Sequence, residues 1–176
     1  AAAADFAAAW TRLAGGGASI DKRMRLHWIE HVDGAAPDAA GHLREAAEGE
    51  RALAVQRAAD FAREAMPNDP FEAEANVDRY LKTRSLFLWD DGGPVTLCAR
   101  SAVAAAARVS LVYTPPRFRR RGYATAAVTA LTQRLLEGGA PYCCLYTDLA
   151  NPTANGIYAR IGYRPVADFD EYAFSA

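Results

Sequence analysis

Two periodicities alternate along this chain. In some segments apolar residues recur every three or four positions, the mark of a helix with one buried face; elsewhere they alternate or crowd into short runs, as in strands. Phe6, Trp10 and Leu13 share one face of a helix over residues 4–13, which Gly15-Gly16-Gly17 ends as a linker. From Met24 the pattern turns to alternation, with Met24, Leu26, Trp28 and Val32 on one side and Arg25, His27 and His31 on the other, and predicts a first strand. Helical spacing returns over residues 43–66 and 71–81, broken by Met66-Pro67-Asn68-Asp69-Pro70. Three apolar runs follow at 85–89, 95–99 and 108–113, and Asp90-Asp91-Gly92-Gly93 reads as a hairpin turn that makes the first two antiparallel. Thr114-Pro115-Pro116 closes the third, because proline cannot continue a ladder.

Ala124, Val128, Leu131 and Leu135 predict a helix over 122–137, stopped by Gly138-Gly139. A strand over 142–147, a helix over 151–161 and a pair of strands or an extended arm over 163–174 complete the order. That order predicts an α/β architecture with a mixed, mostly antiparallel central sheet flanked by helices. Residues 1–19 are expected to form an N-terminal helix and Gly-rich linker, and 20–176 one domain.

Composition narrows the function classes. At 176 residues and 51% hydrophobic the chain suits one domain, burying roughly 70% of its unfolded surface. A formal charge of −1 exerts no general pull toward nucleic acid or membrane. With no apolar run of about 18 residues and no charged-then-apolar leader, the expected setting is the cytoplasm. Cys98, Cys143 and Cys144 are expected as free buried thiols, the adjacent pair on opposite faces of a strand. His27-Trp28-Ile29-Glu30-His31 has the letters of a zinc-protease pattern, which needs a helix; the alternation argues for a strand, so no metal is expected and a zinc-dependent hydrolase is the remote alternative. Asp69, Glu72, Glu74 and Asp78 read as an exposed acidic face, one that would favour a cationic amine if it lined a cleft.

The segment with most chemistry is Arg117-Phe118-Arg119-Arg120-Arg121-Gly122-Tyr123-Ala124, which enters a helix straight after a strand. Helix N-termini leave backbone N–H groups unpaired and carry partial positive charge, so a glycine flanked by arginines there suits a polyphosphate. Further on, Asn151 reads as a helix cap with Pro152 at the first helical position. At about 100° per residue Asn151, Asn155 and Tyr158 fall on one stripe, with Ala154, Ile157 and Ile161 beside it facing a core.

Arg119-x-x-Gly122-x-Ala124 resembles the Gln/Arg-x-x-Gly-x-Gly/Ala signature of the GNAT superfamily of acyl-CoA-dependent N-acetyltransferases. The stretch from Asn151 to Tyr163 is similar to a later motif of that family, an Asn before a helix and a Tyr two turns in, ending at Gly-Phe or Gly-Tyr. The resemblance covers about residues 21–175 and implies a GNAT-like fold in which acetyl-CoA lies between the strands ending at Tyr113 and Asp148. It implies that backbone groups of Leu111, Val112 and Tyr113 pair with the pantetheine. The N–H groups of Arg119, Arg120, Arg121, Gly122, Tyr123, Ala124 and Thr125 would hold the pyrophosphate, Asn151 and Asn155 would steady the pantetheine arm, and Tyr158 would protonate the departing thiolate. The implied reaction is direct transfer of an acetyl group to a small-molecule or peptide amine, and a homodimer is compatible with it. Family members often draw their base from a glutamate on the strand before the cradle, where this chain has none; Glu30 and Glu171 are the carboxylates to consider. That gap motivates the alternative of a non-catalytic acyl-CoA-binding sensor or one half of a tandem protein.

Overall fold

Strands buried on both faces read as unbroken apolar runs, and residues 86–89 are such a case. In the computed structural model, which describes residues 2–32, 38–103 and 106–175, Leu86 and Leu88 enter one core while Phe87 and Trp89 enter another. The strand that carries them, β3 (Leu86–Asp90), therefore lies in the middle layer. Around it stand β1 (Gly17–Ile29), β2 (His42–Glu45), β4 (Pro94–Val103), β5 (Ala106–Tyr113), β6 (Cys143–Asp148) and β7 (Arg164–Ser175), ordered β2-β3-β4-β5-β6-β1-β7. Every neighbouring pair is antiparallel except β5 and β6, giving the mixed, mostly antiparallel sheet expected.

The helices are α1 (Ala2–Ala14), α2 (Arg51–Ala65), α3 (Ala73–Lys82), α4 (Tyr123–Glu137) and α5 (Pro152–Ile161). Ala54, Ala58 and Val77 of α2 and α3 pack on Leu86, Leu88, Leu97, Ala99 and Leu111 on one face of the sheet. Ala126, Ala127, Val128 and Leu131 of α4, with Tyr158 and Ile161 of α5, pack on Phe87, Cys98, Val109 and Leu145 on the other. Because β5 and β6 run parallel, they need a crossover, and α4 supplies it.

The β5–β6 pairing is short. Only Ala107↔Cys143 and Arg108↔Cys144 are in register. Beyond them β5 carries a bulge: its register against β4 slips between Ala99↔Ser110 and Leu97↔Tyr113, and Leu111 takes the left-handed φ of 52°. The extra residue bends β5, and the two strands part from that point.

Several local expectations are corrected. Residues 42–45 form the edge strand β2 rather than opening a helix, because four residues cannot distinguish the two periods and pairing from His42↔Asp90 to Glu45↔Phe87 decides it. Arg44 anchors this edge to Asp90 and Glu50 at 2.7 Å each. The glycine stretch is not all linker: Gly17 pairs with Ser175 inside β1, and Phe6 and Trp10 of α1 stack on Phe174 with ring centroids 5.8 and 5.5 Å away. Residues 164–175 make one long strand along β1. On β1 the buried positions are His27 and Ile29, while Trp28 is exposed and packs edge-on against Tyr142, because α4 and α5 cover the side that His27 and Ile29 share. All three cysteines are free and buried. No helix of the described residues is long and apolar enough to cross a membrane. Of the alanine run at 104–107, Ala104 and Ala105 lie outside the described residues.

Leu97 is fully buried in the core under α2 and α3. Leu97→Ala should cost about 2–5 kcal/mol in urea unfolding, and a loss below about 1 kcal/mol would contradict this packing.

Candidate active site

After Tyr113 the chain turns through a 3-10 segment, Pro116–Phe118, and reaches α4 by way of two left-handed residues, Arg120 at φ 63° and Gly122 at φ 80°. Glycine takes such a φ without steric penalty, and a side chain added at Gly122 would meet only Ala39 at 3.6 Å, so conformation rather than space selects it. Gly122 caps α4 with no side-chain partner. The first helical bond runs from Ala126 N–H to Gly122 O at 2.9 Å, and the N–H groups from Arg120 to Thr125 are unpaired among the described residues. Consecutive free N–H groups around left-handed residues make a concave anion site, reinforced by the positive end of the helix.

Arg119 belongs to the scaffold of that turn. Its N–H donates to Pro116 O at 3.2 Å, its Nε to Thr114 O at 2.8 Å, and its guanidinium meets Glu64 at 2.5 Å. Glu64 also accepts from the Tyr113 hydroxyl at 3.0 Å, so the C-terminal end of α2 is tied to both strand and turn. The Tyr123 hydroxyl donates to Asp91 and ties the start of α4 to the β3–β4 hairpin.

Where β5 and β6 part, a cleft of about 820 Å³ opens above the bulge. Val112, Tyr113, Arg119, Arg120, Gly122, Tyr123, Ala124, Thr125 and Asn151 line it, as does Tyr158. Three residues expected at the cofactor do not. Leu111 packs beneath α2 in the core, Arg121 stays outside the cleft, and Asn155 turns toward β6. Asn155 Nδ2 donates to Asp148 O at 3.0 Å and Asn151 O at 2.8 Å, and its Oδ1 accepts from Thr147, so both amide protons are engaged within the fold. Ala154 and Ile157, expected to face a core, line the cleft while also packing on it. Asn151 caps α5 as expected, accepting from Ala154 N–H at 3.0 Å. Gly162, at φ 109°, closes the helix.

Tyr158 sits at the wall with 9% exposure, its ring 6.0 Å from Tyr163 and 6.5 Å from His27. Its hydroxyl makes no hydrogen bond among the described residues, and burial, with Cys98 as a secondary cause, pushes its pKa up. It therefore stays protonated across the neutral range.

Glu64 is the one carboxylate among the described residues lining the cleft, and sequence reading missed it because nothing local joins α2 to a strand 49 residues away. Glu30 and Glu171 are not among the lining residues. Neither is the acidic run: Asp69 pairs with Lys22 at 2.6 Å, and Asp78 and Glu74 pair with Arg51 at 2.6 and 3.1 Å. The helix needed by the His27-to-His31 pattern is absent, since His27 lies in β1 with its Nε2 3.0 Å from Thr147 Oγ1.

The family model for FR47-like protein matches residues 90–173. No curated protein matches by sequence. A GCN5-related N-acetyltransferase from Sphaerobacter thermophilus superposes with a TM-score of 0.69 at 18% identity, covering 96% of this chain and 55% of its own. One from Kribbella flavida gives 0.61 at 26% identity, covering 93% and 62%. A "predicted acetyltransferase" from Clostridium acetobutylicum, solved with acetyl-CoA, gives 0.54 at 14% identity, covering 71% and 90%. The chain has the acyltransferase fold of these GCN5-related proteins, and its second half is similar to the FR47-like family. It spans less than two thirds of the Sphaerobacter and Kribbella chains.

Burial lowers the His27 pKa from its ordinary 6.5, with Arg25 adding to the shift and Asn155 and Asp168 opposing it. The unfolded chain then takes up this proton before the folded one does, so stability is full above pH 6.5 and is lost as pH falls. Denaturant unfolding between about pH 6.5 and 5 should show a decline that His27→Gln flattens, and equal slopes in both proteins would contradict the burial.

Proposed function

We propose that the protein is an acetyl-CoA-dependent N-acetyltransferase acting on an amine by direct transfer. The observation that carries this reading is the row of unpaired N–H groups from Arg120 to Thr125, all but Arg121 on residues that line the same cleft as Tyr158. These residues fit acetyl-CoA: the N–H row suits its diphosphate, the parted edge of Val112 and Tyr113 suits its pantetheine amides, and Asn151 stands on the facing helix. Exposed Arg120 and Arg160 leave the lining cationic, as a polyanionic donor requires. When bound, acetyl-CoA supplies an activated acyl group as a thioester.

The chain's own work is then positional and protic. The N–H row orients the donor, apolar Ala154 and Ile157 exclude water beside it, and Tyr158 keeps its proton available to the leaving sulfur. Glu64 accepts from Tyr113 at one oxygen and pairs with Arg119 at the other, which holds it as part of the scaffold rather than as a free carboxylate. That engagement favours one rival, an acyl-CoA-binding domain without turnover. Free, buried cysteines support a reducing compartment, and we assign the cytoplasm.

The deciding experiment is release of coenzyme A thiol from acetyl-CoA in the presence of polyamines, amino acids, aminoglycosides and peptide N-termini. Tight acetyl-CoA binding with no release across that panel would establish the rival. Tyr158→Phe should lower turnover by about 10² or more with little change in acetyl-CoA affinity, and undiminished turnover removes the phenol from the mechanism. Gly122→Val, which forces a branched side chain into φ 80°, should weaken acetyl-CoA binding in a calorimetric titration; unaltered affinity would count against the cradle.

A further inference from the structure

Three polar side chains form a directed chain beneath the cleft. Asn155 Nδ2 donates to two carbonyls, Asp148 O at 3.0 Å and Asn151 O at 2.8 Å, which fixes the orientation of the amide and leaves Oδ1 as an acceptor. The single proton of the Thr147 hydroxyl goes to that Oδ1 at 2.7 Å. Thr147 Oγ1 must therefore accept from His27 Nε2–H, 3.0 Å away. The proton of His27 is thereby assigned to Nε2, and Nδ1 is left buried and without a partner among the described residues. His27 and Thr147 are each 4% exposed, so water does not compete for these bonds.

The chain ends where it matters. Asn155 lies one helical turn before Tyr158 on α5, and the His27 ring that begins the relay also packs at 6.5 Å from the Tyr158 ring. We propose that His27, Thr147 and Asn155 form a strut from β1 through β6 into α5 that positions the Tyr158 phenol in the cleft. The proposal rests on the reading of Tyr158 as proton donor, and none of the three residues touches the cleft itself. The direction of every bond is determined by donor and acceptor counts, and removing the middle hydroxyl disconnects α5 from β1 while leaving the anion cradle on α4 intact.

The test uses Thr147→Val, which keeps shape and removes the hydroxyl, and Thr147→Ser, which restores it. Tyrosine labelled with 13C at Cζ, assigned through Tyr158→Phe, reports the phenol directly. In Thr147→Val the Tyr158 resonance should move and its titration midpoint should fall toward the free value of about 10. Thiol release from acetyl-CoA across the same amine panel should drop about tenfold or more in kcat, with calorimetric acetyl-CoA affinity kept within about twofold. Thr147→Ser should behave as the parent protein. An unshifted Tyr158 resonance in Thr147→Val, or a change in KM without one in kcat, overturns the strut. If Tyr158→Phe is slow while Thr147→Val is normal, the strut alone falls; if Tyr158→Phe turns over fully while Thr147→Val shifts the resonance, the donor reading falls and the strut stands. Should Thr147→Val not fold, Asn155→Ala carries the same expectations.

Discussion

The parting of β5 from β6 is the constraint on which the rest of the structure depends. Two register pairs hold the parallel strands together, and the bulge at Leu111 then carries β5 away. A sheet that continued its ladder would fill the gap with backbone hydrogen bonds and leave α4 and α5 nothing to enclose. Opening it leaves polar edges that must find partners elsewhere, a cost that folded chains seldom carry without use. Both helices that follow the parting strands begin at its rim, so the free N–H end of α4 and the phenol of α5 face one space.

Within that space the side chains divide between scaffold and chemistry. Arg119 is spent on Thr114, Pro116 and Glu64, which stiffens the turn, while Arg120 stays exposed at the cleft. Asn151 and Asn155 sit four residues apart on one helix yet do different things: the first caps α5 at the rim and the second bonds it to β6. The electrostatics follow from burial. Desolvation keeps the Tyr158 phenol protonated and the His27 ring neutral, so neither adds a charge to the interior.

Much of the fold could be read without coordinates. Doubly buried strands such as β3, the Asp90-to-Gly93 turn, the proline stop after Tyr113 and the apolar stripe of α4 are statements about contiguous residues, and local geometry honours them. Sequence expectation and structure differ where a segment is short or its partner lies far away in the chain. Residues 42–45 fit either period until β3 paired with them, and the alternation of β1 gave the face of Trp28 no priority over that of His27 until α4 and α5 covered one side.

The turn before α4 was legible for the same reason: Gly122, the arginines and the helix start are neighbours in the chain, and the motif around Tyr158 spans one helix. The sequence by itself determined most of the elements, their order, the glycine turn before α4 and the place of Tyr158 on α5. Tertiary structure alone decided that Glu64 latches Arg119 across 55 residues, that Thr147 meets His27 across 120, and that the acidic run pairs with Arg51 and Lys22 away from the cleft. Hydrogen bonds and ion pairs between distant segments depend on where strands part and which face a helix covers, and no local period carries that information.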